Sequence, residues 1–403
     1  MDGPLKGFRV LDLSTFLAAP TTGRLFAEWG AEVIKIEPMN GDTYRTFGPT
    51  MAMPITEKAN PNFDTHNAHK NFVALNMRTP QGMEALHRLL ATADVFLTNT
   101  RTKALDAMGL TWEELHRRCP RLIFAHILGY GEFGPRKDTP GFDYTAFWSR
   151  GGMLVDVAPV GGPPCNTLVG MGDHAVSLAI AAAVCAALLR RGQTGQGEKV
   201  DASLLQLACW LNMSSINTAF YGRKLSRTHF EINQAQSNSY KCKDGEWIYI
   251  AATDYNKLFR RLCTEVFGRP ELADDPRFCT RELSLKNKKE LIEIYDEIFA
   301  TKTRDEWDHL LSKANISHEL CQHIGDLVAD PQVTANNYVY VHEYEDGTKV
   351  PVTPPPVHFG SIDYFKYQFQ QAKPIGADND RYLKEVGYSE EEINTMRAQG
   401  QIV

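Results

Sequence analysis

Short apolar runs recur through the first 128 residues, at 8–13 (FRVLDL), 32–37 (EVIKIE), 72–75 (FVAL), 94–98 (DVFLT) and 122–128 (LIFAHIL). Runs of this length suit strands buried on both faces of a parallel sheet. Helical signals stand between them. Pro20 opens a stretch that stops at Gly30, the usual asymmetry of helix ends. Met83, Leu86, Leu89 and Leu90 recur at helical spacing within 81–93, and Thr111-Trp-Glu-Glu114 reads as a capping box. A polar loop carrying Pro49, Pro54 and Pro61 separates the second run from the third. Strand–helix alternation predicts an α/β fold with helices on both faces of a parallel sheet.

The chain of 403 residues is longer than one hydrophobic core sustains, so two domains are expected. The texture changes from about Asn212. Ser, Asn and Gln cluster at 233–239, and Asp244-Gly245 marks a hairpin turn between 240–242 and 247–251. Thr303-Arg-Asp-Glu306 caps a short helix, and Ser389-Glu-Glu-Glu392 caps another after the extended run 351–356 (PVTPPP). A smaller α+β domain is placed at 225–330, after a large domain beginning in 1–224.

Hydrophobic residues make up 43% and charged residues 23%, which excludes wholesale disorder. The net charge of −6 argues against a protein that coats nucleic acid. The apolar run 175–189 is too short to span a bilayer comfortably and reads as a core helix, so no membrane partner is expected. The opening residues carry no apolar signal region. Eight scattered cysteines, none in a C-x-x-C pair, read as reduced thiols of a cytoplasmic protein. No metal site is expected, since His66 and His69 fall in a polar loop read as solvated. Gly129-Tyr-Gly131-Glu-Phe-Gly134 matches a dinucleotide fingerprint, but Pro135 and loop chemistry follow where a helix should begin. In 192–199 (GQTGQGEK) Glu198 separates the last glycine from Lys199, which spoils a phosphate loop; Gly192 is read as a helix cap before a turn into Val200. No G-x-S-x-G elbow occurs.

Gly170-Met-Gly172-Asp173-His174 stands directly before the apolar run. Asp173 suits a helix N-cap. A carboxylate kept ionised there by the dipole and amide donors is also a nucleophile for an acyl carbon. Gly170 and Gly172 would let a substrate carbonyl approach and offer N–H groups to an oxyanion.

The chain resembles the family III CoA-transferases, the group of formyl-CoA transferase and carnitine CoA-transferase, nearly from end to end. The resemblance rests on 10–13 (VLDL), Ala18-Ala-Pro20, 30–38 (GAEVIKIEP), Gly41-Asp42, 104–109 (ALDAMG), Gly172-Asp173-His174 and 194–201 (TGQGEKVD). Stretches 129–132 (GYGE), 140–147 (PGFDYTAF), 150–152 (RGG) and 240–245 (YKCKDG) are similar to clostridial members that activate 2-hydroxy acids such as 2-hydroxyisocaproate and phenyllactate in amino-acid fermentation. This similarity implies a Rossmann-like large domain built from both chain ends, with 331–403 returning to it, a small domain between, and an interlocked homodimer. It implies that Asp173 is the nucleophile, passing through aspartyl anhydride and aspartyl-CoA thioester intermediates, with acyl-CoA and a small carboxylic acid as substrates. CoA is then a substrate, and no cofactor is called for.

Carried over position by position, the resemblance places CoA against Phe16, Leu17, Ala18, Asn99, Thr100, Ala104 and Met108, with Arg101 and Lys137 as basic candidates for its phosphates. Ala107 and Pro38 replace arginines used by formyl-CoA transferase, and 233–238 (NQAQSN) replaces its glycine-rich loop. Phe47, Met51, Tyr144, Phe147 and Trp148 are candidates for an apolar acyl pocket. Two alternatives stay open. A 2-methylacyl-CoA racemase of the same fold needs a histidine in a Gly-His-Asp motif, where Gly141-Phe142-Asp143 stands here. His126 reads as a core residue. A non-catalytic CoA-binding protein is the other alternative.

Overall fold

Successive side chains of a strand point to opposite faces, and here both faces are apolar. Val10, Val95, Leu97 and Ile123 enter one core, while Leu11, Phe96 and Phe124 enter another. In the computed structural model, which describes residues 3–165, 167–225, 228–232 and 234–403, these residues form a six-stranded parallel sheet. Its strands are β1 (Arg9–Leu13), β2 (Glu32–Glu37), β3 (Asn71–Ala74), β4 (Val95–Thr98), β5 (Ile123–Leu128) and β6 (Lys199–Ser203), in the order β3-β2-β1-β4-β5-β6. All five pairings are parallel. This is the order of a doubly wound sheet, which binds ligands beyond the carboxyl ends of its strands, where the winding reverses between β1 and β4.

Helices Ala18–Glu28 and Met171–Thr194 cover the first face. Helices Pro80–Leu90 and Trp112–Arg118 cover the second, with Tyr382, Leu383, Ile393 and Met396 from the C-terminal helices Asn379–Glu385 and Glu390–Ala398. Asp378 and Asn379 accept the Phe72 and Ala74 amides, each at 2.8 Å, and so occupy the outer edge of β3. Residues 1–154, 166–216 and 328–403 form one compact unit, which also holds the hairpin of β10 (Tyr340–Glu343) and β11 (Lys349–Val352).

The second unit comprises 155–165 and 217–327. Its antiparallel sheet has the order β7 (Ser237–Lys241), β8 (Trp247–Ala251), β9 (His318–Leu320), with the expected turn at Asp244-Gly245. Tyr240, Ile248, Ile250, Phe299 and Trp307 form its core. Thr303 and Glu306 complete the capping box in both directions. Asn233, the first residue of the stretch noted at 233–238, lies outside the described residues.

Some expectations are corrected. The first helix begins at Ala18, two residues before Pro20. The long helix ends at Gly195 rather than Gly192, because Gly195 takes the left-handed conformation (φ +74°) that closes a helix. That helix has 24 residues, and by length and composition it could cross a membrane. Its face of Val176, Ile180, Val184 and Leu188 instead packs in the first core. The polar stretch before β3 contains a helix, Pro61–Asn67, whose N-cap Asn60 accepts the Phe63 amide at 3.3 Å.

Candidate active site

The loops that follow β1, β4 and β5 open at the carboxyl edge of the sheet, around a cavity of about 710 Å³. Phe16, Leu17 and Ala18 line it after β1, and Asn99, Thr100, Arg101 and Ala104 after β4. Lys137 and Phe142–Tyr144 follow β5, and Gly170 and Asp173 come from the start of the long helix. Met108, expected with the CoA residues, does not line the cavity; it packs against the second core.

The β1 loop is held against strain. Phe16 has φ +64°, an uncommon conformation for a bulky side chain. The Asn99 amide grips the preceding residue twice, donating to the Thr15 carbonyl at 2.7 Å and accepting the Thr15 N–H at 3.0 Å. Asn99 therefore fixes the loop, and its side chain is already engaged on both sides. Lys35 donates to the Ser14 carbonyl at 2.9 Å and pairs with Asp42 at 3.0 Å. Thr15 Oγ1 donates to Asp42 at 2.8 Å. Below, Lys70 pairs with Asp12 at 2.8 Å. Burial opposes the Lys35 charge, but Asp42 and Asp12 outweigh it and hold the ammonium above its ordinary value. The Phe16 ring meets Tyr44, Phe47 and Phe142 at centroid distances of 5.8, 6.0 and 5.9 Å. Of the expected apolar candidates, Phe47, Met51 and Tyr144 line the cavity, whereas Phe147 and Trp148 lie in the first core.

The start of the long helix differs from the sequence expectation in two respects. The N-cap is Gly170 and the helix begins at Met171, which makes Asp173 its third residue. Gly170 has φ +70°, and a Cβ there would stand 2.8 Å from Leu17 Cδ2. The carboxylate that caps the turn is Asp143, 29 residues upstream, whose Oδ1 accepts the Gly172 N–H at 2.8 Å. Gly172 therefore does not offer a free donor to an oxyanion. A Cβ on Gly172 would collide with Asp143 and the Phe147 ring. Sequence spacing sees only local caps, so this contact between distant residues is invisible to it; the sequence marks Asp143 only within the stretch 140–147 and in Gly141-Phe142-Asp143, with no role of its own.

The Asp173 carboxyl is partly buried on the cavity wall. Burial pushes it up to about 7, with the charge of Asp143 adding to the effect. The expectation of a carboxylate held ionised by amide donors is thus corrected in direction. The next residue, His174, stacks on His66 at 5.4 Å, and Tyr44 meets the His66 ring edge-on at 5.5 Å. Burial holds both imidazoles below their ordinary range. His66, read as solvated, is buried, and Thr21 Oγ1 lies 3.0 Å from its Nδ1. Asn60-Pro61, an N-cap followed by proline at the first helical position, was the overlooked signal for its helix. His126 is a core residue on β5, with Nε2 2.8 Å from the Thr100 carbonyl. No helix begins within 129–134.

Among the described residues no three His, Cys, Asp or Glu side chains gather as metal ligands. Arg101 and Lys137 form no salt bridge with a described residue and stand free at the cavity.

Comparison with known proteins points one way. The CoA-transferase family III model matches residues 5–379. The (R)-2-hydroxy-4-methylpentanoate CoA-transferase of Clostridioides difficile is 39% identical over 98% of both chains. The cinnamoyl-CoA:phenyllactate CoA-transferase of Clostridium sporogenes is 38% identical over 97% of this chain and 95% of that one. Among solved structures, a CaiB/BaiF family protein from Brucella suis superposes with a TM-score of 0.81 at 27% identity, covering 96% of this chain and all of that chain.

Proposed function

The chain belongs to CoA-transferase family III, and we propose that it moves CoA from an acyl-CoA to a 2-hydroxy acid with a branched or aromatic side chain, using Asp173 as nucleophile. The observation that carries this reading is the Asp173 carboxyl on the wall of a cavity that also holds the 16–18 loop, free cations at Arg101 and Lys137, and an aromatic wall of Phe16, Tyr44, Phe47 and Phe142. The relatives named for 2-hydroxy acids support the acceptor class. The aromatic lining supports an apolar side chain on it.

In the cycle, ionised Asp173 attacks the donor thioester carbonyl. The C–S bond breaks, leaving a mixed anhydride and CoA thiolate. The thiolate attacks the Asp173 carbonyl and expels the donor carboxylate, leaving an aspartyl-CoA thioester. The acceptor carboxylate attacks that carbonyl and expels CoA thiolate. Finally the thiolate attacks the acceptor's acyl carbonyl and releases Asp173. No proton is gained or lost overall. One thioester replaces another, so the exchange is close to isoenergetic and CoA is needed only as a substrate. The phosphates of CoA are assigned to Arg101 and Lys137, and its chain to Phe16, Leu17, Ala18, Thr100 and Ala104. Phe142, which stands where a racemase would carry its histidine, has no proton to transfer.

The working form is proposed to be an interlocked homodimer in the cytoplasm. Leu189, Trp210 and Leu211 are 75%, 68% and 54% exposed, which supports a covering partner. Light scattering across a dilution series tests this: a folded, active monomer overturns it.

A panel of acyl-CoA donors and carboxylate acceptors, read by mass spectrometry, tests the activity. Branched and aromatic 2-hydroxy acids are expected to exceed oxalate and formate in kcat/KM. Hydroxylamine added after acyl-CoA is expected to leave a hydroxamate on the Asp173 peptide. Preference for oxalate or formate overturns the acceptor class, and the absence of any adduct overturns the covalent route.

A further inference from the structure

Two carboxylates meet at the first turn of the helix Met171–Thr194, and the proposed cycle uses only one. The other, Asp143, is 4% exposed, lines the same cavity and takes the Gly172 N–H at 2.8 Å. It opens a π-helical stretch, Asp143–Ser149, a geometry frequent at functional sites. Ala146 and Phe147 of that stretch are buried in the first core, so the carboxylate sits on a packed element. The Phe147 ring and the Asp143 carboxylate fill the space where a Cβ of Gly172 would stand. Three residues are thus built around one another, and Asp173 is the next along the helix.

We infer that Asp143 is the positioning residue of the Asp173 carboxylate: it holds the first turn through the Gly172 amide and sets a negative charge beside the nucleophile. The inference rests on the reading of Asp173 as nucleophile. The other ionisable groups around Asp173 do not supply that charge. Tyr144 follows Asp143, and Tyr44 comes from the turn Thr43–Thr46 with its phenol pushed up by burial to about 12. His174 on the same helix and His66 stacked on it are lowered by desolvation, and an imidazole carries no negative charge in either of its ordinary forms. Arg101 and Lys137 are the cations of the lining. A more basic carboxylate attacks a carbonyl better, provided enough of it is ionised at the working pH.

The test compares kcat/KM against pH for wild type, Asp143→Asn and Asp143→Ala. Asparagine keeps an oxygen for the Gly172 N–H and loses the charge. Its acid limb is expected to move down by about half a pH unit or more, a readout that a purely structural role would leave in place. Alanine removes the grip as well, and kcat is expected to fall roughly 100-fold with the donor KM little changed, as misplacement of a reacting group does. An unmoved limb in Asp143→Asn, or an unchanged kcat in Asp143→Ala, overturns the assignment. If the alanine variant does not fold, the asparagine profile decides alone. Wild type that moves no CoA from any donor overturns the transferase reading instead, so the two failures are distinguishable.

Discussion

The loop after β1 and the first turn of the long helix face one cavity and are held in opposite ways. Around the loop every buried charge has a counter-charge within reach: Lys35 beside Asp42, Lys70 beside Asp12, Arg45 on Glu37 at 2.8 Å. At the helix start two carboxylates, Asp143 and Asp173, adjoin, and neither forms an ion pair with a described residue. The compensated network holds Phe16 in a strained conformation. Burial, with the charge of Asp143 adding, leaves Asp173 titrating near neutral pH, where small changes in charge alter its ionised fraction. One wall is charge-compensated and the other is not, within one cavity.

The largest expected effect falls on the uncompensated side. Asp173→Asn should lower kcat by roughly 10³-fold or more, since an amide cannot form the anhydride. The same variant should be more stable than wild type at pH 8. A carboxyl raised to about 7 in the native state and near 3.9 unfolded binds its proton more tightly when folded. Its contribution is complete at low pH and is lost as pH rises through about 7. Removing the carboxyl should recover about 1–3 kcal/mol at pH 8 and little at pH 4, as thermal melts at the two pH values would show. For wild type, kcat/KM should rise with pH through about 7. A variant no more stable at pH 8 would break the contrast between the two walls.

On the compensated side, Lys35→Met leaves Asp42 buried without its partner and should cost about 3–5 kcal/mol in denaturant unfolding. Adding Asp42→Asn should recover part of it. A Lys35→Met protein as stable as wild type would mean that the network does not brace the loop. Gly172→Ala should cost about 1–3 kcal/mol, because the methyl meets Phe147 and Asp143. Gly192→Ala, later in the same helix with open space around it, should gain about 0.5–1 kcal/mol. If both glycine variants behaved alike, the packing argument at Gly172 would fail.

Legibility in the sequence followed the range of the forces. The strands, the Asp244-Gly245 turn and the capping boxes at Thr303 and Ser389 were readable, because each depends on neighbours within a few residues. The helix at Pro61–Asn67 is not legible from Pro61 alone, because proline marks a loop as readily as the first position of a helix, and only the Asn60 cap beside it makes the difference. Asp173 is legible from its glycine-flanked place before an apolar run and from family resemblance, but the structure gives the cap to Gly170 and Asp143, and burial, with the charge of Asp143 adding, opposes ionisation where amide donors were expected to favour it. No local rule connects Asp143 to that turn.

The sequence by itself determined the parallel α/β layering, since runs apolar on both faces can be buried in no simpler way, and it placed Asp173 at the start of a core helix. Only the tertiary structure decided that Asn99 grips the Phe16 loop, that Asp143 takes the amide expected for an oxyanion, and that His66 lies buried against His174. Hydrogen bonds and desolvation act between atoms close in space, and chain folding brings those atoms together from positions far apart in the sequence.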